Sequence, residues 1–168
     1  MKDERTFEMD IDDVVRRYAD MVYRLALLNM KNKYEAEDAF QEVFLKLYKN
    51  MHKINDEEHL KAWLIRVTVN QCRSMAVSAW NKHTVSLEMT GEMVEESEHE
   101  DYSEVYEAVR ELPEKYREVI YLYYYEELQI KEIAKFLKRR EATIKTQLAR
   151  GRKLLNERLK GESGNGRF

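Results

Sequence analysis

Residues 129–155, QIKEIAKFLKRREATIKTQLARGRKLL, decide the fold. In the first nine, Ile130, Ile133, Ala134 and Leu137 recur at helical spacing and predict a short amphipathic helix. Lys138-Arg139-Arg140 is a tight connection, and a second helical pattern starts at Glu141. There Ile144, Leu148 and Leu155 share one face, which Leu159 extends. Thr146, Arg150 and Lys153 fall opposite, with Thr143, Lys145 and Ala149 on the flanks. A helix, a three-residue turn and a basic helix have the spacing of a helix-turn-helix. Ala134 stands where the two helices approach closely and only a small side chain fits. The second helix has the make-up of a recognition helix, whose first turns read base edges in the major groove while cations hold phosphates.

The overall charge conceals this. The 168 residues carry a formal charge of −3, yet residues 131–160 hold eleven lysines and arginines against three glutamates. Residues 81–104 hold eight acidic residues against Lys82 alone. Two segments of opposite sign nearly cancel, so the net charge does not exclude a nucleic-acid partner.

Working back from the quoted stretch, LPEKYREVIYLYYYEE (112–127) predicts a helix entered at Pro113. Its apolar side is expected to consist of Tyr116, Val119, Ile120, Tyr123 and Tyr124, with the tyrosines as core rather than base-stacking surfaces. Residues 81–103, rich in Glu and Ser, predict a flexible acidic linker. Before it, three helical patterns run through Val14, Val15, Tyr18, Met21, Val22, Leu25 and Leu28, through Ala36, Phe40, Val43, Phe44 and Leu47, and through Leu60, Leu64, Val67, Cys72 and Met75. Asp56 is the expected N-cap of the third. The fold expected is all-α: helical domains at 11–80 and 104–160 joined by the linker, the second containing the helix-turn-helix. One proline and five glycines offer little turn chemistry for a β fold. The lone Cys72 predicts a core thiol and a reducing compartment. The acidic, polar N-terminus and the lack of a 20-residue apolar run predict a cytoplasmic protein that does not insert into membranes.

Two ordered stretches resemble the RNA polymerase sigma factors of the extracytoplasmic-function (ECF) type. YEAEDAFQEVFLKLYKN (34–50) with LKAWLIRVTVNQCRS (60–74) is similar to the family's first domain. LPEKYREVIYLYYYEELQIKEIAKFL (112–137) with EATIKTQLARGRKLL (141–155) is similar to its second. The resemblance implies a non-enzymatic initiation factor that binds core RNA polymerase, recognises the −35 and −10 elements of promoter DNA and helps melt it. Asp38, Gln41, Glu42, Leu45 and Lys49 form a mixed stripe on the second helix and match the positions that grip the polymerase clamp. Arg66, Asn70 and Arg73, with Lys53, Asn55 and His59 in the preceding loop, match the −10 surface. For Asn55 a capping role is an equal alternative. Thr143, Lys145, Thr146, Ala149, Arg150, Arg152 and Lys153 match the −35 surface. An anti-sigma factor, often membrane-anchored in this family, is the inhibitory partner implied.

The turn departs from the family's Gly-apolar-Ser pattern. Lys138 costs about 1 kcal/mol if positive φ is kept. Arg139 replaces an apolar plug, and Arg140 cannot cap as Ser does. The basic run usual after the third helix is thin, since SAWNKHTVS (78–86) offers only Lys82. The sequence contains no Gly-rich phosphate loop, metal-spaced Cys/His set or nucleophile elbow, so no cofactor is expected. A dimeric helix-turn-helix repressor and a helical protein adaptor are the competing readings.

Overall fold

The computed structural model describes residues 7–30, 32–83 and 104–163. These fall in two compact units, on either side of residue 93. The first contains α1 (Ile11–Asn29), α2 (Lys33–Asn50), a 3₁₀ turn (Met51–Lys53) and α3 (Glu57–His83). The second contains α4 (Glu104–Arg110), α5 (Glu114–Tyr124), α6 (Ile130–Leu137) and α7 (Glu141–Ser163). The expected linker starts late: residues 81–83 still belong to α3, and residues 84–103 lie outside the described residues.

In the first unit each helix start is fixed by a side chain that accepts an otherwise unused backbone N–H. Asp10 accepts from Asp12 N–H at 3.1 Å, Asn32 from Glu35 N–H at 2.9 Å and Asp56 from His59 N–H at 2.7 Å. The three helices pack on one another. Val14, Val22 and Leu25 of α1, Val43 and Leu47 of α2 and Leu60, Leu64 and Ile65 of α3 are fully buried, whereas Val15 and Tyr18 of α1 are only partly covered. Ala26, Ala36 and Ala39 cluster around Cys72, where small side chains let the backbones approach. Cys72 is a buried core thiol, as expected.

In the second unit α5 is the central helix, packed against α4, α6 and α7. Its expected one-sided apolar face is therefore not what is seen. The continuous run Glu118–Val119–Ile120–Tyr121–Leu122 is buried, whereas Tyr124 is half exposed and Tyr123 only partly covered. A helix surrounded by neighbours buries every side of its middle, and periodicity no longer marks a face. The Tyr121 hydroxyl donates to Glu126 at 2.9 Å, which satisfies its buried polar end. Pro113 serves as N-cap just outside α5, and its carbonyl accepts from Tyr116 and Arg117 N–H at 3.0 Å. In α6 the buried residues are Ile133, Ala134 and Phe136. Phe136, absent from the expected stripe, takes the place given to Leu137, which is only partly covered.

The seating of α7 on α5 depends on Gly151. A Cβ there would lie 2.9 Å from Ile120 Cγ1 and 3.3 Å from Tyr116 Cβ. Glycine in a helix costs about 1 kcal/mol relative to alanine. Here that cost is offset by a close helix–helix approach that no side chain allows.

Candidate nucleic-acid and polymerase interfaces

The turn before α7 keeps its left-handed geometry without glycine. Lys138 adopts φ 55°, ψ 48°, and Arg139 N–H bonds back to the Ala134 carbonyl at 2.9 Å. Lys138 N–H reaches the Lys135 carbonyl at 3.4 Å, which completes a Schellman ending for α6. At the other end of α6, Glu132 accepts from Gln129 N–H at 3.2 Å. Arg139 turns inward. Its guanidinium donates to the Glu118 carboxylate at 2.7 Å and to the Gln147 side-chain oxygen at 3.2 Å. The Glu118 side chain is fully buried and that of Arg139 mostly so. An ion pair thus occupies the place of the expected apolar plug. Removing one partner of such a pair typically costs about 3–5 kcal/mol, because the other charge is left buried.

Beyond the turn, α7 divides cleanly. Ile144, Leu148, Gly151 and Leu159 are buried. Thr143, Lys145, Thr146, Ala149, Arg150, Arg152 and Lys153 are all exposed, as are Lys138, Arg140 and Ala142. Ala142, Thr146, Ala149, Arg150 and Lys153 lie along one outward stripe. The Thr146 hydroxyl donates to the Ala142 carbonyl at 3.0 Å. Its proton is engaged, so Thr146 offers a base edge an oxygen acceptor and a methyl group.

Not every cation belongs to this stripe. Arg152 Nε donates to the Tyr124 hydroxyl, and its guanidinium lies 5.4 and 5.5 Å from the Tyr123 and Tyr124 ring centres. Arg158 pairs with Glu111 at 2.6 Å and also bonds its carbonyl. Arg139 and Arg158 therefore hold the unit together, Arg152 leans on the α5 tyrosines while staying exposed, and the rest of the outward charge is carried by Lys138, Arg140, Lys145, Arg150 and Lys153.

In the first unit, Asp38, Gln41, Glu42, Leu45 and Lys49 are all exposed on α2, and Leu45 retains 54% of its surface. Two residues missed in the sequence extend the stripe. Tyr34 is 63% exposed and Tyr48 68% exposed, at positions that continue the Asp38–Gln41–Leu45 spacing. An aromatic in an apolar-rich helix reads as core, so only the i, i+4, i+7, i+11, i+14 interval signals them.

On α3, Asn70 and Arg73 are exposed and Arg66 is half buried. Lys53 and Asn55 are exposed in the loop before it, where Ile54 is buried as an anchor. Asn55 is not the cap, a role held by Asp56. Its backbone N–H instead donates to His59 Nδ1 at 3.3 Å, so the half-buried His59 ring pins the loop. Arg17 of α1 ties to Glu57 at the start of α3. This loop is held at both ends before any ligand arrives. Further along α3, Val77 and Trp80 are exposed. Among the described residues no group of His, Cys, Asp and Glu is arranged to hold a metal ion.

Two small helical units, the second presenting a cationic helix after a tight turn, define a DNA-binding protein of the sigma-70 kind. Sigma-70 region 2 matches residues 14–82, and Sigma-70 region 4 matches residues 102–155. The chain is 33% identical over 153 residues to the ECF RNA polymerase sigma factor SigM of Bacillus subtilis, across 88% of this chain and 93% of that one. It is 30% identical over 164 residues to SigW of the same organism, across 88% of each. In fold it is similar to the sigma factor RpoE of Bartonella quintana, solved with the anti-sigma factor NepR, at a TM-score of 0.76 and 22% identity over 91% of this chain and 98% of that one. It is also similar in fold to CnrH, solved with the cytosolic domain of CnrY, at a TM-score of 0.67 and 18% identity over 91% and 89%.

The chain belongs to the ECF RNA polymerase sigma factors. Its function is promoter-specific initiation of transcription with core RNA polymerase.

Proposed function

We propose that the promoter work is divided between the two units. Residues 11–80 engage core RNA polymerase through Asp38, Gln41, Glu42, Leu45 and Lys49. They hold the −10 element and assist melting through Lys53, Asn55, His59, Arg66, Asn70 and Arg73. Residues 104–160 hold the −35 element through Thr143, Lys145, Thr146, Ala149, Arg150, Arg152 and Lys153. The factor has no catalysis of its own and works in the cytoplasm. Among the described residues no helix is long and apolar enough to cross a membrane. An anti-sigma factor is the partner that holds it inactive, in keeping with the complex in which RpoE of Bartonella quintana was solved.

The observation that carries this reading is the outward stripe of α7. It combines base-reading side chains at Thr146 and Arg150 with phosphate-holding cations at Lys145 and Lys153, opposite the face that seats the helix. The test is to mix the purified chain with core RNA polymerase and separate by size. Co-elution supports the assignment, whereas a chain that stays separate favours a dimeric repressor or an adaptor.

A further inference from the structure

Arg139 lies in the turn of the helix-turn-helix, between the exposed cations Lys138 and Arg140, where a phosphate contact is the obvious expectation. Its geometry argues otherwise. The backbone of Arg139 is fixed by its bond to the Ala134 carbonyl at the end of α6. Its guanidinium reaches the buried Glu118 carboxylate in the middle of α5 at 2.7 Å and the Gln147 side chain in α7 at 3.2 Å. One residue therefore joins α5, α6 and α7, three of the four helices of the second unit. Four residues beyond Gln147, Gly151 seats α7 directly on Ile120 and Tyr116 of α5. The two attachments are about 6 Å apart along the helix, roughly one turn. Ile144, Leu148 and Leu159 also seat the helix, but an apolar face tolerates a small roll that a directional ion pair and a close backbone contact one turn apart resist.

We propose that Arg139 is a positioning residue: held by Glu118 and Gln147, it sets the rotation of α7 and so the register in which Thr146 and Arg150 meet base edges. This rests on the assignment of α7 as the helix that reads the −35 element. Thr146 and Arg150 directly precede Gln147 and Gly151, so any roll of the helix is passed to them undiminished. Side-chain atoms lie about 5–6 Å from the helix axis, and a roll of about 20° displaces them by roughly 2 Å. Hydrogen bonds to base edges tolerate only a few tenths of an ångström. Glu118 is fully buried and anionic, so it does not touch DNA. It is tied to the turn before α7 by the bond from Arg139, so its effect on base reading is expected at the same base pairs as that of Arg139.

The probe is the −35 duplex that wild-type holoenzyme, assembled from the full chain and core polymerase, selects from a randomised pool. Binding of this duplex and of its single-base variants is measured at several salt concentrations for E118Q, R139M, E118Q/R139M and E118M/R139M. A positioning role predicts that E118Q and R139M each lose about fivefold or more of discrimination, at the same base pairs. The double variant E118Q/R139M is no worse than either, and the salt slope does not change. E118M/R139M, with apolar side chains in place of the pair, regains the melting temperature of the full chain but not its discrimination.

A drop of about one in the salt slope for R139M, with E118Q intact, identifies Arg139 as a phosphate contact and overturns the proposal. So does a lowered melting temperature with discrimination preserved, or full discrimination in E118M/R139M. R150A, run alongside, separates the two claims. If R150A leaves discrimination unchanged, the base-reading assignment of α7 fails. Loss in R150A with none in E118Q and R139M defeats the positioning role alone.

Discussion

The polymerase-facing stripe of α2 permits a quantitative test. Leu45 keeps 54% of its surface exposed, while Ala36, Ala39, Val43 and Leu47 on the other side of the same helix are fully buried. Fully burying a leucine is worth about 1.5–3 kcal/mol, so covering the exposed half of Leu45 on docking contributes roughly 1 kcal/mol. A hydrogen bond from the exposed Gln41 amide adds about 1 kcal/mol. Leu45→Ala with Gln41→Ala then weakens core polymerase binding by about 2 kcal/mol, or roughly 30-fold. Neither side chain belongs to the core, and alanine is the better helix former, so thermal stability and helical circular dichroism stay unchanged. Leu47→Ala, two residues on, does the opposite. It removes a fully buried side chain and costs about 2–5 kcal/mol of stability. The assay is competition with labelled wild-type chain for core polymerase, beside thermal melts. Normal binding by the double variant refutes the assignment of this surface. A melting temperature that falls together with binding refutes the division of α2 into an inner and an outer face.

Three further outcomes follow from the second unit. Thr146→Ala changes the preferred −35 sequence with little effect on salt dependence, and Arg150→Ala costs about 1–3 kcal/mol at one base pair; binding to single-base promoter variants at two salt concentrations reads both. Arg152→Ala and Lys153→Ala each lower the salt slope by about one. Only Arg152→Ala also loses stability, by about 0.5–1 kcal/mol in a denaturant melt, because its guanidinium packs on the Tyr123 and Tyr124 rings. Gly151→Ala destabilises by about 1 kcal/mol despite its better helix propensity, because the new Cβ meets Ile120 and Tyr116.

What the sequence revealed was local, and what it concealed was contact between distant segments. The left-handed Lys138 is raised only by the family's glycine at that place and stays open in the sequence, whereas Asp56 as a cap and the buried face of Ile144, Leu148 and Leu159 follow from neighbours within a turn or two. Glu118 does not. In KYREVIYL it reads as a solvated acid, and its burial depends on Arg139, 21 residues further on. Tyr121 and Tyr124 are one turn apart, but their fates differ because α4, α6 and α7 surround the middle of α5 and leave its end open. Gly151 carries no side chain to give periodicity a signal, though it lies on the face that Leu148 and Leu155 define. The candidate surfaces show the same limit. Lys145, Thr146, Arg150 and Lys153 were legible by angle alone, whereas the charge of residues 131–160 overstated the DNA face, since Arg139 and Arg158 are committed to Glu118 and Glu111.

The central claim is that the chain directs core RNA polymerase to promoters defined by two elements, with α7 reading the upstream one. The most direct measurement is run-off transcription by core polymerase on a randomised promoter library, with wild-type chain, with Thr146→Ala and with no added factor. Transcripts are expected to depend on the chain and to arise from templates sharing a −35 and a −10 sequence, with the Thr146→Ala variant shifting the −35 sequence and leaving the −10 sequence alone. Transcripts that do not depend on the chain, or a −35 preference untouched by Thr146→Ala, would contradict the claim.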